Sequence, residues 1–283
     1  MNLKTQESYL ERIERVLGYI NEHLDDDLNM DELADVACFS AYHFHRVYRG
    51  LVGETVTQTV RRLRLHRAAG DLIRSSTDIE AIAKRAGYSS VEAFSRAFKS
   101  AYKKAPANYR DHVRETPVTL LHTERNTGMF TVEIKEIPAR KLAAIAHKGD
   151  YMEIGKTFDK AFMWGMKNNM LSATTAGLGL YYDDPSDIPA DELRSEAGFV
   201  VDTDCQDDEV GLRTLDIKGG RYAVLRHKGP YAELEKAYDH LFGAWLNESG
   251  ETPASEPVVE CYLNDPKTTD PSELLTDICV ALQ

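Results

Sequence analysis

The sequence predicts two unlike parts: an all-α N-terminal domain with two helix-turn-helix units, and an α+β C-terminal domain of two pseudo-symmetric β-α-β-β repeats. Three observations predict it. Segments near residues 29–50 and 77–110 repeat one punctuation of caps, turns and aromatic residues. Apolar residues fall at helical steps in the first third of the chain and in short strand-like runs afterwards. The pentapeptide "HKGDY" at His147–Tyr151 returns as "HKGPY" at His227–Tyr231. At 283 residues the chain is long enough for two cores.

Charge is uneven along the chain. Residues 40–114 carry 15 Lys and Arg against 6 Asp and Glu, whereas residues 116–283 carry 16 against 29, within a net charge of −12. A basic block is the electrostatic footprint of a surface that meets phosphate, although a solvated helix face has the same composition. Cys38, Cys205, Cys261 and Cys279 show no C-x-x-C spacing and no neighbouring histidine pair, so no metal and no cofactor is expected. The polar start "MNLKTQESYL" lacks a signal core, and no run approaches the roughly 18 apolar residues of a membrane span. A cytoplasmic protein without a membrane partner is the expectation.

Ile13, Val16, Leu17, Ile20 and Leu24 fall on one face of a first helix. In "NMDELADVACFSAYHFHRVYRG", Asn29 with Glu32 reads as a capping box and Ser40 as the cap of a second helix. "TDIEAIAKRAGYSSVEAFSRAFKSAYKKAPANYR" repeats the design, with Thr77 and Glu80 as the box, Gly87 at the turn and Ser90 opening the next helix. Phe44, Arg46 and Tyr48 then match Phe94, Arg96 and Phe98. Between the units "TVTQTVRRLRLHRAAGDLI" reads as a connecting helix, with Val60, Leu63 and Ala68 inward and Arg61, Arg62, Arg64 and Arg67 mostly outward. A helix-turn-helix lays its second helix in the major groove, and two units on one chain would reach successive grooves. A helical bundle that binds protein is the other reading.

On this paired layout and its closing "GYSSVEAFSRAFKSAYKKAPANYR", residues 1–114 resemble the DNA-binding domain of the AraC/XylS family of transcription regulators. The resemblance implies double-stranded promoter DNA and RNA polymerase as partners. It places Tyr42, His45 and Arg46 of the first recognition helix toward bases, and Glu92, Ala93, Ser95 and Arg96 of the second. His43, Arg49 and Lys99 fit phosphate, which positions without specifying. Glu92 departs from the amide common in relatives; a carboxylate accepts from a cytosine amino group but repels phosphate.

Residues 115–128 read as a linker. Beyond it, the stretch from Ala139 can be laid over that from Gly219 at an offset of 80, each copy running strand, His-Lys-Gly turn, helix, strand, strand. Two such copies should pair about a pseudo-twofold axis, with a groove along it. In this alignment Leu180 matches Glu260, which puts a carboxylate on the apolar face of Val258 and Tyr262. A buried carboxylate needs a partner or takes up a proton; a salt bridge to a distant cation and solvation at a sheet edge remain alternatives. Trp245 shares a helical stripe with Tyr238 and Phe242 as core, while Trp164 flanks its stripe and is placed toward the groove. Tyr151, Tyr181 and Tyr262 are candidates for ligand contact, with packing as the alternative reading. An aromatic wall with one carboxylate suits a lipophilic cation.

On "HKGPY", "AYDHLFGAWL", "VVECYLNDP" and "ELLTDICVAL", residues 129–283 resemble the GyrI-like effector-binding family. That resemblance implies a symmetric α+β fold, a central ligand groove and an acidic residue at Glu260; the domain order resembles regulators of the Rob type. The leading expectation is therefore a DNA-binding regulator that senses a small amphipathic or cationic ligand, and not an enzyme. The alternative is a GyrI-like hydrolase of strained electrophiles using Glu260 and a nearby Tyr. A module that inhibits a partner protein through its acidic surface is a third reading.

Overall fold

The computed structural model describes residues 3–39, 41–114, 130–172 and 175–283. They form a helical unit and a sheet unit, each with its own core. The expected linker at 115–128 and the expected cap Ser40 lie outside the described residues.

The helical unit runs α1 (Leu3–Glu22), α2 (Met30–Val36), α3 (Ala41–Val52), α4 (Val56–Arg74), α5 (Ile79–Arg85), α6 (Val91–Tyr102) and α7 (Pro106–Arg114). Asn29 caps α2 by accepting from the Asp31 N–H, but no box closes, because Glu32 takes the Tyr19 hydroxyl instead. Asp78, not Thr77, caps α5 through the Glu80 N–H. Ser90 caps α6 as expected. Both helix-turn-helix turns pass through left-handed backbone, at Cys38 (φ 52) and Gly87 (φ 82). At Gly87 an added Cβ would stand 2.3 Å from an Arg64 guanidinium nitrogen, and that side chain bonds the carbonyls of Leu24 and Asp26. Glycine is favoured there by the backbone and by the Arg64 side chain held against it.

The core of this unit holds Ile13, Ile20, Leu33, Phe44, Tyr48, Leu72, Ile82, Phe94, Phe98 and Tyr109. On α4 the buried stripe is Val56, Thr59, Leu65, Ala68, Ala69 and Leu72, which leaves Val60 and Leu63 only half-buried. The reason is polar: Glu54, 6% exposed, accepts from Thr59 and Arg62, and Tyr48 joins the network through Thr59. Arg62 is thus bound to a buried carboxylate, and Arg67 and Arg85 share Asp25. Much of the basic block is internal wiring, which corrects the outward placement of Arg62, Arg64 and Arg67.

The sheet unit contains β1 (Val132–Ile137), β2 (Arg140–Lys148), α8 (Gly155–Lys167), β3 (Gly177–Tyr181), β4 (Arg194–Val201), β5 (Gln206–Asp207), β6 (Leu212–Ile217), β7 (Gly220–Lys228), α9 (Leu234–Tyr238), β8 (Val258–Tyr262) and β9 (Leu275–Ala281). All pairings are antiparallel, in the order β1-β7-β9-β8-β3-β4-β2-β6-β5. The sequence reading included neither β1 nor β6. Each pairs with a strand of the other half, β1 with β7 and β6 with β2, and the only local partner is the two-residue β5 beside β6.

The repeated pentapeptide makes the same turn twice. Gly149 (φ 127) and Gly229 (φ 149) adopt backbone that favours glycine, and their N–H groups reach the carbonyls of Leu193 and Leu274. His147 and His227 are buried beneath them, and burial holds both imidazoles below their usual pKa. The helices cover one face: Ala161 of α8 packs with Ala143, Ile145 and Phe199, and Ala237 of α9 packs with Ala223, Leu225 and Ile278. After Tyr238 the helix widens to a π-helix over Asp239–Trp245. This change of pitch buries Leu241 and turns Phe242 out, 40% exposed, which corrects its placement in the core.

Candidate functional site

In the helical unit, α6 buries Phe94, Phe98 and Tyr102 and so presents its other face to solvent. Glu92, Arg96 and Lys99 are exposed there, with Ala93 and Ser95 half-buried beside them. The spacing of three and four residues puts these side chains along one stripe. Glu92 is engaged locally: bonds from its own backbone N–H and from Ser90 hold its carboxyl below the usual range, with Arg96 adding to the effect. A carboxylate in the first turn of a helix meets the positive end of the helix dipole. In α3, Phe44 and Tyr48 are buried while His45 and Arg49 are exposed. The side chains of Tyr42, His43 and Arg46 lie outside the described residues.

In the sheet unit the chemistry centres on Glu260. It is 3% exposed, and its register partner in β3 is Gly179. Residues opposite one another in an antiparallel pair share a face. Glu260 therefore lies with Tyr181 and Tyr262, on the face opposite to that of Leu178 and Leu180. The match of Leu180 to Glu260 is one residue out of step, and one residue in a strand exchanges the faces.

Three tyrosines serve the carboxylate. The Tyr238 hydroxyl donates to Oε1 and the Tyr262 hydroxyl to Oε2, both at 2.7 Å. Tyr181 lies 2.5 Å from the Tyr262 oxygen, and since that hydroxyl proton is already given to Glu260, Tyr181 donates. The ring of Tyr181 lies over Gly179, where an added Cβ would come within 2.8 Å of it. Tyr151 stands edge-on to Tyr181, and Phe158 and Tyr231 stand edge-on to Tyr262. Phe242 stacks on Tyr238.

The electrostatics follow from this enclosure. Burial raises the Glu260 pKa above the usual carboxyl range, and the Tyr238 and Tyr262 bonds work against that rise. Burial and the Glu260 charge push Tyr181, Tyr238 and Tyr262 well above the ordinary phenol value, and burial pushes Tyr151 up to about 12. The phenols therefore stay protonated donors at neutral pH. Hydroxyls supply what a basic neighbour would otherwise supply.

The structure brings Tyr181, Tyr262 and Glu260 together, with Tyr151 beside them, and adds Tyr238, Phe158 and Tyr231, which the sequence reading had not assigned to the site. Tyr238 stood in the sequence as core; its offset-80 counterpart Phe158 has no hydroxyl, and that difference was the available signal. Trp164 is not part of the cluster. It packs against the cluster that holds Phe199, Val201 and Leu212, and its indole N–H donates to Asp207 of β5. β5 is five strands from β8, about 24 Å at ordinary strand spacing. The helical angle placed Trp164 off its core stripe but could not say which neighbour lay there.

With this geometry in place, comparison defines the class. Residues 130–283 match the GyrI-like small molecule binding domain, and residues 33–112 match a helix-turn-helix domain. The chain belongs to the GyrI-like family and joins it to an AraC-type helix-turn-helix domain, the make-up of a DNA-binding transcription regulator with a small-molecule-binding domain. Among its relatives is the uncharacterised helix-turn-helix regulator YbfP of Bacillus subtilis, 32% identical over 38% of this chain; the match spans only 36% of that protein. The regulatory protein SoxS of Salmonella typhimurium is 32% identical over 36% of this chain and 96% of its own length. A DNA gyrase inhibitor of Pectobacterium carotovorum is 29% identical over 48% of this chain and 88% of its own. The C-terminal domain of EcmrR covers 55% of this chain and 99% of its own, with 20% identity and a TM-score of 0.49.

Proposed function

We propose that the chain is a cytoplasmic transcription regulator in which residues 1–114 bind promoter DNA, 115–128 link, and 129–283 sense a small amphipathic or cationic ligand at Glu260. The observation that carries this reading is the buried carboxylate held, among the described residues, by the Tyr238 and Tyr262 phenols. Hydroxyls stabilise the carboxylate without neutralising it, so its charge is left for a cation that brings its own apolar surface into the aromatic walls. Tyr151, Tyr181 and Tyr262 supply the walls together with Tyr238 and Phe158.

The sheet unit is read as two pseudo-symmetric halves. The repeated glycine turns support this, as does the central pairing of Gly179 with Glu260. The axis would pass between β3 and β8, so the two halves meet at the site and only one contributes a charge. On the helical side, Arg96, Ser95 and Ala93 of α6 and Tyr42, His45 and Arg46 of α3 are assigned to bases, and His43, Arg49 and Lys99 to phosphate. Glu92, bonded to its own helix N-terminus, serves the helix more than a base. RNA polymerase is the partner through which promoter output would change.

The test is calorimetric titration of the full chain with tetraphenylphosphonium and with its size-matched anion tetraphenylborate. Saturable binding of the cation alone is expected, weakened about 10- to 100-fold in Glu260→Gln, the scale of one lost charge pair. Equal affinity for both ions, or no change in the variant, would remove Glu260 as the ligand's partner.

A second reading draws on the Tyr181–Tyr262–Glu260 chain of hydroxyls, which has the form of a proton relay. In that reading the same residues open a strained electrophile such as an epoxide. Conversion of an epoxide to its diol, lost in Glu260→Gln, would favour it over sensing.

A further inference from the structure

Two carboxylates occupy corresponding places in the sheet, and only one has an arginine across from it. Asp277 of β9 pairs in register with Arg226 of β7, whose Nε and Nη2 donate to its two oxygens at 2.7 and 2.8 Å. This is the bidentate fork that planar guanidinium makes with carboxylate. Glu196 of β4 pairs in register with Ala146 of β2, the residue that aligns with Arg226 in the repeated stretch.

Glu196 is the more deeply buried of the two, at 4% exposure, while Ala146 beside it is exposed. One oxygen, Oε1, accepts from Arg213 at 2.5 Å. The other, Oε2, is buried and has no hydrogen-bond partner among the described residues. Burial raises the Glu196 pKa, and Arg213 only partly opposes it, so the charge is under-compensated. An unsatisfied buried carboxylate oxygen is costly, and proteins rarely leave one without a reason.

The surroundings suit a flat cation. Leu180 is the register partner of Glu196 in β3, and the Tyr182 N–H bonds Arg194, which places Tyr182 on the face of Glu196. Its ring is 43% exposed and already takes the Arg194 guanidinium at 6.0 Å. The Arg194 guanidinium is itself engaged by Asp183, with three bonds to its two oxygens. This cluster lies on the face of the sheet opposite the Glu260 tyrosines.

We propose that Glu196, Ala146 and Tyr182 form a receptor for a guanidinium group presented from outside the chain. The incoming group reaches the buried Oε2 as the exposed Arg213 side chain swings aside, and it then forks across both oxygens above the small Ala146 side chain and against the Tyr182 ring. Arg226 on Asp277 is the internal template for this contact. An ammonium cannot span both oxygens and stack, so the receptor distinguishes guanidinium from amine.

The experiment is an NMR titration of the 15N-labelled full chain with benzylguanidine and, separately, benzylamine. Saturable shifts at the amides of Ala146, Tyr182 and Glu196 are expected for benzylguanidine, with affinity about tenfold or more above benzylamine. Ala146→Arg supplies the chain with its own guanidinium and should abolish the response. Glu196→Gln should abolish it too, whereas Glu260→Gln should leave it intact, which separates this receptor from the site proposed above. An absent response, equal response to both probes, or binding that survives Ala146→Arg overturns the proposal, and that variant decides the matter if Glu196→Gln does not fold. A capped Gly-Gly-Arg-Gly-Gly peptide separates the sources. Binding as tight as benzylguanidine points to an arginine on a protein partner, and failure of the peptide alone points to a free guanidino compound.

Discussion

Removing one phenol from Glu260 tests the claim that hydroxyls stabilise its charge. In Tyr238→Phe the ring and its stack on Phe242 are kept, and only the 2.7 Å bond to Oε1 is lost. A hydrogen bond to a charged group contributes about 1.5–3 kcal/mol, and Tyr238 is too enclosed for water to replace it freely. For a domain of this size each kcal/mol is about 2–4 °C in melting temperature, so a fall of roughly 3–12 °C is expected.

The pH dependence carries the diagnostic sign. Glu260 has a folded-state pKa raised above its unfolded value, so its protonated form favours the fold and that advantage is lost as pH rises through the folded pKa. Tyr238→Phe raises the folded pKa further. The variant's deficit should therefore grow as pH rises through that range and shrink toward acid, where Glu260 is protonated in both proteins. Thermal unfolding of the full chain, followed by the fluorescence of Trp164 and Trp245 in the sheet unit, measures it. In a Glu260→Gln background the same substitution should cost clearly less. An equal loss at acid and neutral pH, and in both backgrounds, would refute charge stabilisation and leave Tyr238 as packing.

Gly87→Ala should destabilise the helical unit by about 1–3 kcal/mol in urea unfolding, since it combines a left-handed backbone with displacement of Arg64 from the carbonyls it holds. Arg62→Ala should cost about 2–4 kcal/mol in the same assay by leaving Glu54 buried without its cation, and Arg62→Ala with Glu54→Gln should recover part of the loss. For DNA, Arg96→Ala should lose about 1–3 kcal/mol on a specific site and little on random sequence, whereas Lys99→Ala should weaken both and flatten the salt slope. Equal losses from the two variants on specific and random DNA, read by fluorescence anisotropy, would overturn the assignment of Arg96 to bases.

What the sequence by itself determined is local in origin. The helices of the first third, the Ser90 cap and the left-handed turn at Gly87 follow from apolar spacing and cap chemistry, which act over three or four residues. The two His-Lys-Gly turns follow from the same short-range rules, and the duplication was legible because it is written in the chain. The tertiary structure decided what depends on register and on distant partners. Glu260 was singled out in sequence as a carboxylate needing a partner, but its donors come from Tyr238 on a helix and Tyr262 two residues along its own strand, and its face was set by pairing with Gly179. A one-residue slip reverses a strand's faces while barely changing an alignment, so Leu180 looked like its counterpart. A change of helical pitch exposed Phe242, and the fold carried Trp164 to the strand β5 side of the sheet. Arg62, Arg64 and Arg67 read as mostly outward until the fold brought Glu54, the Leu24 carbonyl and Asp25 to them, because partners set by tertiary contact leave no periodic trace in the sequence.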